Sequence, residues 1–484
     1  MEKQEKIPNI IAIIGAIVLL VLAVVGLSYA FFSAFIKNGE TDPSIEGTGA
    51  NLSLVYTDGK SVITSSNIMP GWSATKTFTV TNNGEADTYY KLNISSITNE
   101  FVDGGLTFSI ASADGGTSVA EQAVGTTTRT ISPSITIAEG ATHTYTVTAK
   151  YINLNTDQTP DLGKSFSYTI GIEASQKPTF KDIILANNEV KTPITTPGAA
   201  VSTSSEALLA SAEDDYGTSY YFRGAVTNNY VEFANKCWRI VRIGGDNTVK
   251  LILHNDNISN ASNPCSSANN STTAAFVHYD GNIYKSEFNS NYNDNAYVGF
   301  MYGTPGSTTY EATHANTNKS TILTNLETWY NNNLKTYESV IDNNVFCNDK
   351  SLSSGSGYSA NATDYAARER LYTSKIPSLK CNGELSKITS KIGLITADEL
   401  AFAGYAVRGY ITTSYLKENA TGYSWWSLSP AGFYNKSLSY VFRVRSDNDA
   451  IDICNVNVDS SVRPVISLVS SITISGVSGT SEDP

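Results

Sequence analysis

Lys76-Thr77-Phe78-Thr79-Val80-Thr81-Asn82-Asn83-Gly84 places apolar side chains at every second position, then stops on an Asn-Asn-Gly turn signal. Successive side chains of a strand point to opposite faces, so this spacing fits a half-buried strand and not a helix. Thr144-Tyr145-Thr146-Val147-Thr148 repeats the pattern. Between the two, Asp103-Gly104-Gly105, Asp114-Gly115-Gly116 and Glu139-Gly140 supply turn chemistry at short intervals. Strand after strand in this rhythm predicts an all-β sandwich over residues 45–175. No sustained 3.6-residue period supports a helical alternative.

Toward the N-terminus, Ile10 to Ile36 is an uncharged apolar run of 27 residues, longer than the roughly 20 needed to cross a bilayer. Lys3 and Lys6 precede it, which keeps the N-terminus cytoplasmic and places residues from about 37 onward outside the cell. Residues 1–36 therefore read as a signal peptide or a membrane anchor. Ser28-Tyr29-Ala30 has the small-x-small form of a cleavage site, so cutting between Ala30 and Phe31 would release the chain. No Cys lies nearby to carry a lipid. The expected location is the extracellular face of the membrane, held by residues 10–36 if uncleaved, or secretion after cleavage.

Several of these segments carry a resemblance. Ser28-Tyr29-Ala30-Phe31-Phe32-Ser33, Met69-Pro70-Gly71 with Lys76 to Gly84, Asn155-Thr156-Asp157-Gln158 and Gly163 to Ile170 are together similar to the camelysin/TasA family of Gram-positive surface and matrix proteins. The resemblance covers roughly residues 28–174. It implies a jelly-roll-like sandwich acting as a spacer or as a biofilm-matrix fibre subunit, with a leader cut after the Ala. Camelysin's protease activity is not carried over, because the region has no H-E-x-x-H and only His143.

Charge is sparse, 16% of residues, and the formal balance is −12 with mean hydropathy −0.16. An acidic surface without a Lys/Arg cluster argues against nucleic acid. The five Cys form no C-x-x-C and the four His are scattered, which argues against zinc, and no cofactor is implied. Disulfides are available outside the cell. Sequence leaves the connectivity open; the pairs taken forward are Cys347–Cys381 and Cys237–Cys265, with one Cys left over.

Residues 176–218 read as a short helix, capped by Thr179, followed by a linker broken by Pro193, Pro197 and Ser202-Thr203-Ser204-Ser205. From 219 to 470 the pattern is α+β. Cys237 to Ile243 and Val249 to Leu253 flank Gly244-Gly245-Asp246-Asn247 as a hairpin. Ile322, Leu326, Trp329 and Leu334 share one face of a helix capped by Asn318 or Ser320. A second helix starts at Thr396, with Asp398 and Glu399 in its first turn. Residues 471–484 form a polar tail.

The sharpest signature lies near the end. Trp425-Trp426-Ser427-Leu428-Ser429-Pro430, Tyr440 to Val444 and Val462-Arg463-Pro464-Val465-Ile466-Ser467-Leu468, with Ser219 to Gly224, Cys237-Trp238-Arg239 and Ile392 to Glu399, resemble an uncharacterised Gram-positive surface-domain family. That family is related to the C-type-lectin-like fold of formylglycine-generating enzymes and phage receptor-binding proteins. The fold class expected is thus multidomain: a membrane or signal helix, a β-sandwich, then an α+β C-type-lectin-like domain.

Adjacent strand residues face opposite ways, so Trp425 and Trp426 either both pack inside or place one ring in a cleft. Arg463 serves the fold or meets an acidic ligand. The stretch between them is rich in Tyr, Ser, Asn and Asp, the residues of adaptable recognition loops. The candidate ligand-binding set is Trp425, Trp426, Tyr434, Asn435, Tyr440, Asn448, Asn455 and Asn457. Asp447, Asp449 and Asp452 offer oxygen ligands that calcium accepts, although their spacing matches no EF-hand.

Three functions compete. The first is a non-catalytic, adhesin-type surface protein whose partner is a glycan or protein on a host or bacterial surface. The second is a fibre subunit that self-assembles through the sandwich. The third is a formylglycine-generating-type enzyme; its chemistry needs two close thiols, and the last hundred residues hold only Cys454. No Ser/His/Asp grouping stands out either.

Overall fold

A computed structural model describes residues 54–59, 68–84, 87–102, 104–175, 178–409, 413–472 and 478–484, together with the short strand Ser33–Ala34. Apart from that strand, the apolar run 10–36 and the Ala30–Phe31 bond lie outside the described residues. Among the described residues no helix is long and apolar enough to cross a membrane. The chain is mostly β and divides into two compact units, residues 1–178 and 179–484.

In the first unit, Trp72–Asn82 is a strand whose alternation puts Phe78 and Val80 in the core. It pairs antiparallel with Thr142–Tyr151, Phe78 opposite Tyr145, and the two rings stack at 4.8 Å. Leu54–Asp58, Trp72–Asn82, Thr142–Tyr151, Leu106–Ser112 and Val119–Ala123 form one sheet in that order. The second sheet runs Ser33–Ala34, Phe166–Ser175, Thr88–Asn99, the last strand pairing also with Arg129–Thr130 and Ile135–Ile137. Tyr90, Leu92 and Ile94 of one sheet share a core with Phe78, Phe108 and Val147 of the other. Within it the Tyr90 hydroxyl lies 2.7 Å from Nδ1 of His143 and 2.6 Å from the Tyr145 hydroxyl.

The second unit begins earlier than the sequence suggested. Residues 179–218, read as a helix and linker, are built into it. Thr179 and Asp182 make a reciprocal capping box on the helix Phe180–Asn187, and Phe180 and Ile184 enter the core. Ala207–Asp214 is a strand paired along its length with Gly217–Gly224. The proline-broken stretch is stapled by Arg223, which donates to Glu206 (2.7 Å), Thr195 Oγ1 (2.7 Å) and the Ala199 carbonyl (3.0 Å). Turn residues mark where hydrogen-bonded ladders stop, but they carry no information about a side-chain clamp from another strand.

One sheet of this unit runs Ala207–Asp214, Gly217–Gly224, Lys236–Ile243, Val249–Asn255, Val465–Leu468. The first and last parts of the unit therefore meet in one sheet. The other sheet centres on Trp425–Tyr434, flanked by Leu438–Val444 with Ile451–Asn455 on one side and by Thr363–Tyr365 with Leu352–Gly355 on the other. The segment Ser427-Leu428-Ser429-Pro430 lies inside this strand. Pro430 has no N–H to give, and the ladder shifts register on both sides of it.

Helix Thr321–Asn333 is capped by Ser320, and Ala397–Phe402 by Thr396 in a capping box with Glu399. The disulfides are Cys237–Cys265 and Cys347–Cys381, and Cys454 is a buried free thiol. The tail is not free throughout: the Gly479 carbonyl accepts from Tyr230 N at 2.8 Å.

Candidate functional site

The hairpin Trp425–Tyr434/Leu438–Val444 turns at Asn435 and Lys436, both with positive φ (57° and 56°), a geometry that suits the right-handed twist of the strands. Just before this turn Tyr434 is half-buried, and Tyr440 follows it at 5.2 Å between ring centres. Register places Asn455 directly opposite Tyr440. From a distant part of the chain, the turn 366–374 lays Arg368 between two rings, 5.4 Å from Tyr434 and 5.5 Å from Tyr372. Arg408, exposed, sits 5.1 Å from the Tyr372 ring. The result is a half-exposed group of three phenol rings, Tyr440 beside Tyr434 and Arg368 near both Tyr434 and Tyr372.

Hydrogen bonds fix the row. The Tyr434 hydroxyl donates to Asp364 at 2.6 Å, and the Tyr372 hydroxyl to Asp452 at 3.0 Å. Burial, and then the neighbouring carboxylate, push the Tyr372 hydroxyl up to about 12 and raise that of Tyr434 further. Both phenols therefore stay protonated and donate. Two polar atoms beneath this face, Nε of Arg368 and Oδ1 of Asn455, are buried without a hydrogen-bond partner among the described residues.

Of the eight residues expected at a binding face, Tyr434, Asn435, Tyr440 and Asn455 fall on or beside this row. Asn448 belongs to the turn at the opposite end of the strand pair, where its side chain accepts from Ala450 N at 3.1 Å. Asn457 is half-buried in the following turn. Trp425 and Trp426 are both 0% exposed, so neither ring is presented to solvent: Trp426 donates to the Ser286 carbonyl at 2.7 Å, and Trp425 lies under Arg463. The strand carrying them is covered on both faces, which removes the inside/outside choice that alternation would otherwise give. Arg463 donates to the carbonyls of Leu253 (2.8 Å) and Leu416 (2.6 Å), a role within the fold.

The three carboxylates considered for calcium have cationic partners. Asp447 is bound by Arg445, Asp449 by Lys417 at 2.9 Å, and Asp452 by Arg445 at 3.3 Å and Tyr372. Carboxylates already neutralised by Arg445 and Lys417 do not converge on an ion. Among the described residues no three His, Cys, Asp or Glu gather as metal ligands.

Sequence reasoning missed Arg368, Tyr372 and Arg408. The four-residue spacing of Arg368 and Tyr372 was a usable signal, since it places both on one side of a helical turn.

A second polar region is a cleft beside the Cys347–Cys381 disulfide. In it Glu399 receives Lys250 at 2.7 Å and Arg242 at 2.9 Å, while Arg242 also reaches Asp214 at 2.8 Å. Arg370 grips both oxygens of Asp398 at 2.8 Å each and Asp349 at 2.7 Å. Burial works against the Glu399 charge, but Lys250 and Arg242 outweigh it and hold the carboxyl down to about 2. Lys250 is pushed down by its own burial, which Glu399 offsets in part. These ions are committed to one another, so the cleft reads as a clamp between strands, helix and disulfide loop.

The chain matches no protein-family model, and no curated protein is similar enough to count as a relative.

Proposed function

We propose that this is a non-catalytic extracellular surface protein whose second unit binds a glycan or protein through the row formed by Tyr372, Arg368, Tyr434 and Tyr440. The observation that carries the reading is the row itself: preoriented rings and a cation at half exposure. Ring faces receive the C–H face of a sugar or an apolar side chain, and guanidinium and amide groups fix orientation. We take the first unit as a jelly-roll-like spacer and the second as C-type-lectin-like. The meeting of its early and late strands in one sheet, with a long excursion between them, supports that reading. The disulfides fit an oxidising compartment, as does a leader at residues 1–36.

Glycan and protein arrays with the secreted chain test the proposal. Tyr372→Ala or Tyr434→Ala should weaken any hit at least tenfold, since central aromatic anchors carry most of an interface's energy. No reproducible hit, or hits indifferent to both changes, would overturn it.

One observation favours the fibre reading. Ser33–Ala34, just past the expected cleavage point, pair at the edge of a sheet with Glu173 and Ile172. A neighbouring copy can offer the same edge the same strand. Electron microscopy of protein starting at Phe31, with and without Ser33–Ala34, tests this; monomers in both cases would end it.

A further inference from the structure

Lys350 differs from the cations of the clamp. Arg242, Lys250 and Arg370 each reach a carboxylate. Lys350 is 0% exposed, and its amine contacts only neutral groups: Oδ1 of Asn316, and the Leu385 carbonyl at 3.0 Å. A buried ammonium without a counter-charge is costly, so the amine shifts toward its neutral form. Burial pushes it down to about 7, which leaves a large share of free, nucleophilic amine at neutral pH.

The surroundings hold both reactants still. The Lys350 backbone is fixed at both ends, its N–H donating to Ser386 Oγ (2.9 Å) and its carbonyl accepting from the Tyr310 hydroxyl (2.8 Å). Asn316 sits in the left-handed region (φ 57°), and its Nδ2 donates to the same Leu385 carbonyl at 2.9 Å. The amine and the amide nitrogen of Asn316 thus share one acceptor. Two residues earlier, His314 places Nε2 at 2.8 Å from the Gly357 carbonyl, which puts the ring hydrogen there. Its buried Nδ1 is left as an unpartnered base. Burial, with the Lys350 charge adding to it, holds this ring neutral at about 3.

We propose that Lys350 and Asn316 join through an intramolecular amide bond. Lys350 Nζ attacks Cγ of Asn316, the Cγ–Nδ2 bond breaks, and Nδ2 leaves as ammonia carrying one proton from Nζ. The proton passes directly from Nζ to the departing Nδ2, since both nitrogens sit on the Leu385 carbonyl. No electron changes hands and no co-reactant is needed. A side-chain amide is a weak electrophile, but fixing both partners raises the effective concentration to roughly 10⁵ M or more. The product removes a buried charge.

Mass spectrometry of the reduced, alkylated full chain tests this. Amide formation lightens the chain by one ammonia, about 17 Da. Trypsin should then fail after Lys350 and yield one branched peptide joining Ser286–Lys319 to Thr336–Arg368. Asn316→Ala should restore the full mass expected of its sequence and cleavage after Lys350. Separate peptides with cleavage after Lys350 in the folded wild-type chain would overturn the proposal. So would an ammonia loss that maps elsewhere without a branch.

Discussion

Glu399→Gln changes one atom and one charge where two buried cations, Lys250 and Arg242, remain. Glu399 is only 4% exposed, and it titrates near 2 in the fold against 4.5 outside it. A tenfold change in proton affinity is about 1.4 kcal/mol, so the ionised carboxylate contributes about 3 kcal/mol above its unfolded pKa. Breaking a buried ion pair by removing one partner independently costs about 3–5 kcal/mol. The sign comes from the lowered pKa. The contribution is complete above pH 4.5 and is lost as pH falls toward 2, where the wild-type carboxyl becomes neutral like the amide. Urea unfolding at a series of pH values measures it. Four of the five Trp (Trp238, Trp329, Trp425, Trp426) lie in the second unit, so fluorescence reports chiefly that unit's transition. The variant should be about 3 kcal/mol less stable at pH 7, and the gap should close between pH 4.5 and 2. A gap under about 1 kcal/mol at pH 7, or one that does not change with pH, would refute the clamp.

Arg370→Lys keeps the charge but loses the fork that spans Asp398 and Asp349; calorimetry should show a loss of about 2 kcal/mol. Opening Cys347–Cys381 by a double Ser substitution frees a loop of 34 residues, and denaturant unfolding should fall by about 3–4 kcal/mol. His254 and His314 are held neutral chiefly by burial, so their ring signals in NMR should not titrate between about pH 8 and 5. Their share of stability is full above the ordinary His pKa and declines below it, because only the unfolded chain then takes up protons.

How much could be read from the sequence depended on how far apart the interacting residues lie. Phe78 and Val80 were legible because strand alternation is local, and the pairing with Tyr145 extends it. Thr396 and Glu399 were legible as a helix start for the same reason, and the capping box is there. The partner of the other Glu399 oxygen was not, since Lys250 lies 149 residues away. The segment 179–218 failed differently. Its prolines and serines do break regular structure, but Arg223 ties Thr195 and Ala199 back to the sheet, and the strand Gly217–Gly224 recruits Ala207–Asp214 into it.

The tyrosine row shows both limits at once. Tyr434 and Tyr440 come from one hairpin and were visible as recognition residues; Arg368 and Tyr372, which complete the row, come from another part of the chain. Because Asp364 and Asp452 already anchor two of the phenols, the row is ordered before any ligand arrives. Preorganisation reduces the entropy lost on binding, so a modest contact area can still bind specifically. The same logic separates the row from the clamp. Charged side chains that satisfy one another are spent on holding the fold, whereas Tyr372, Tyr434 and Tyr440 stay half-exposed.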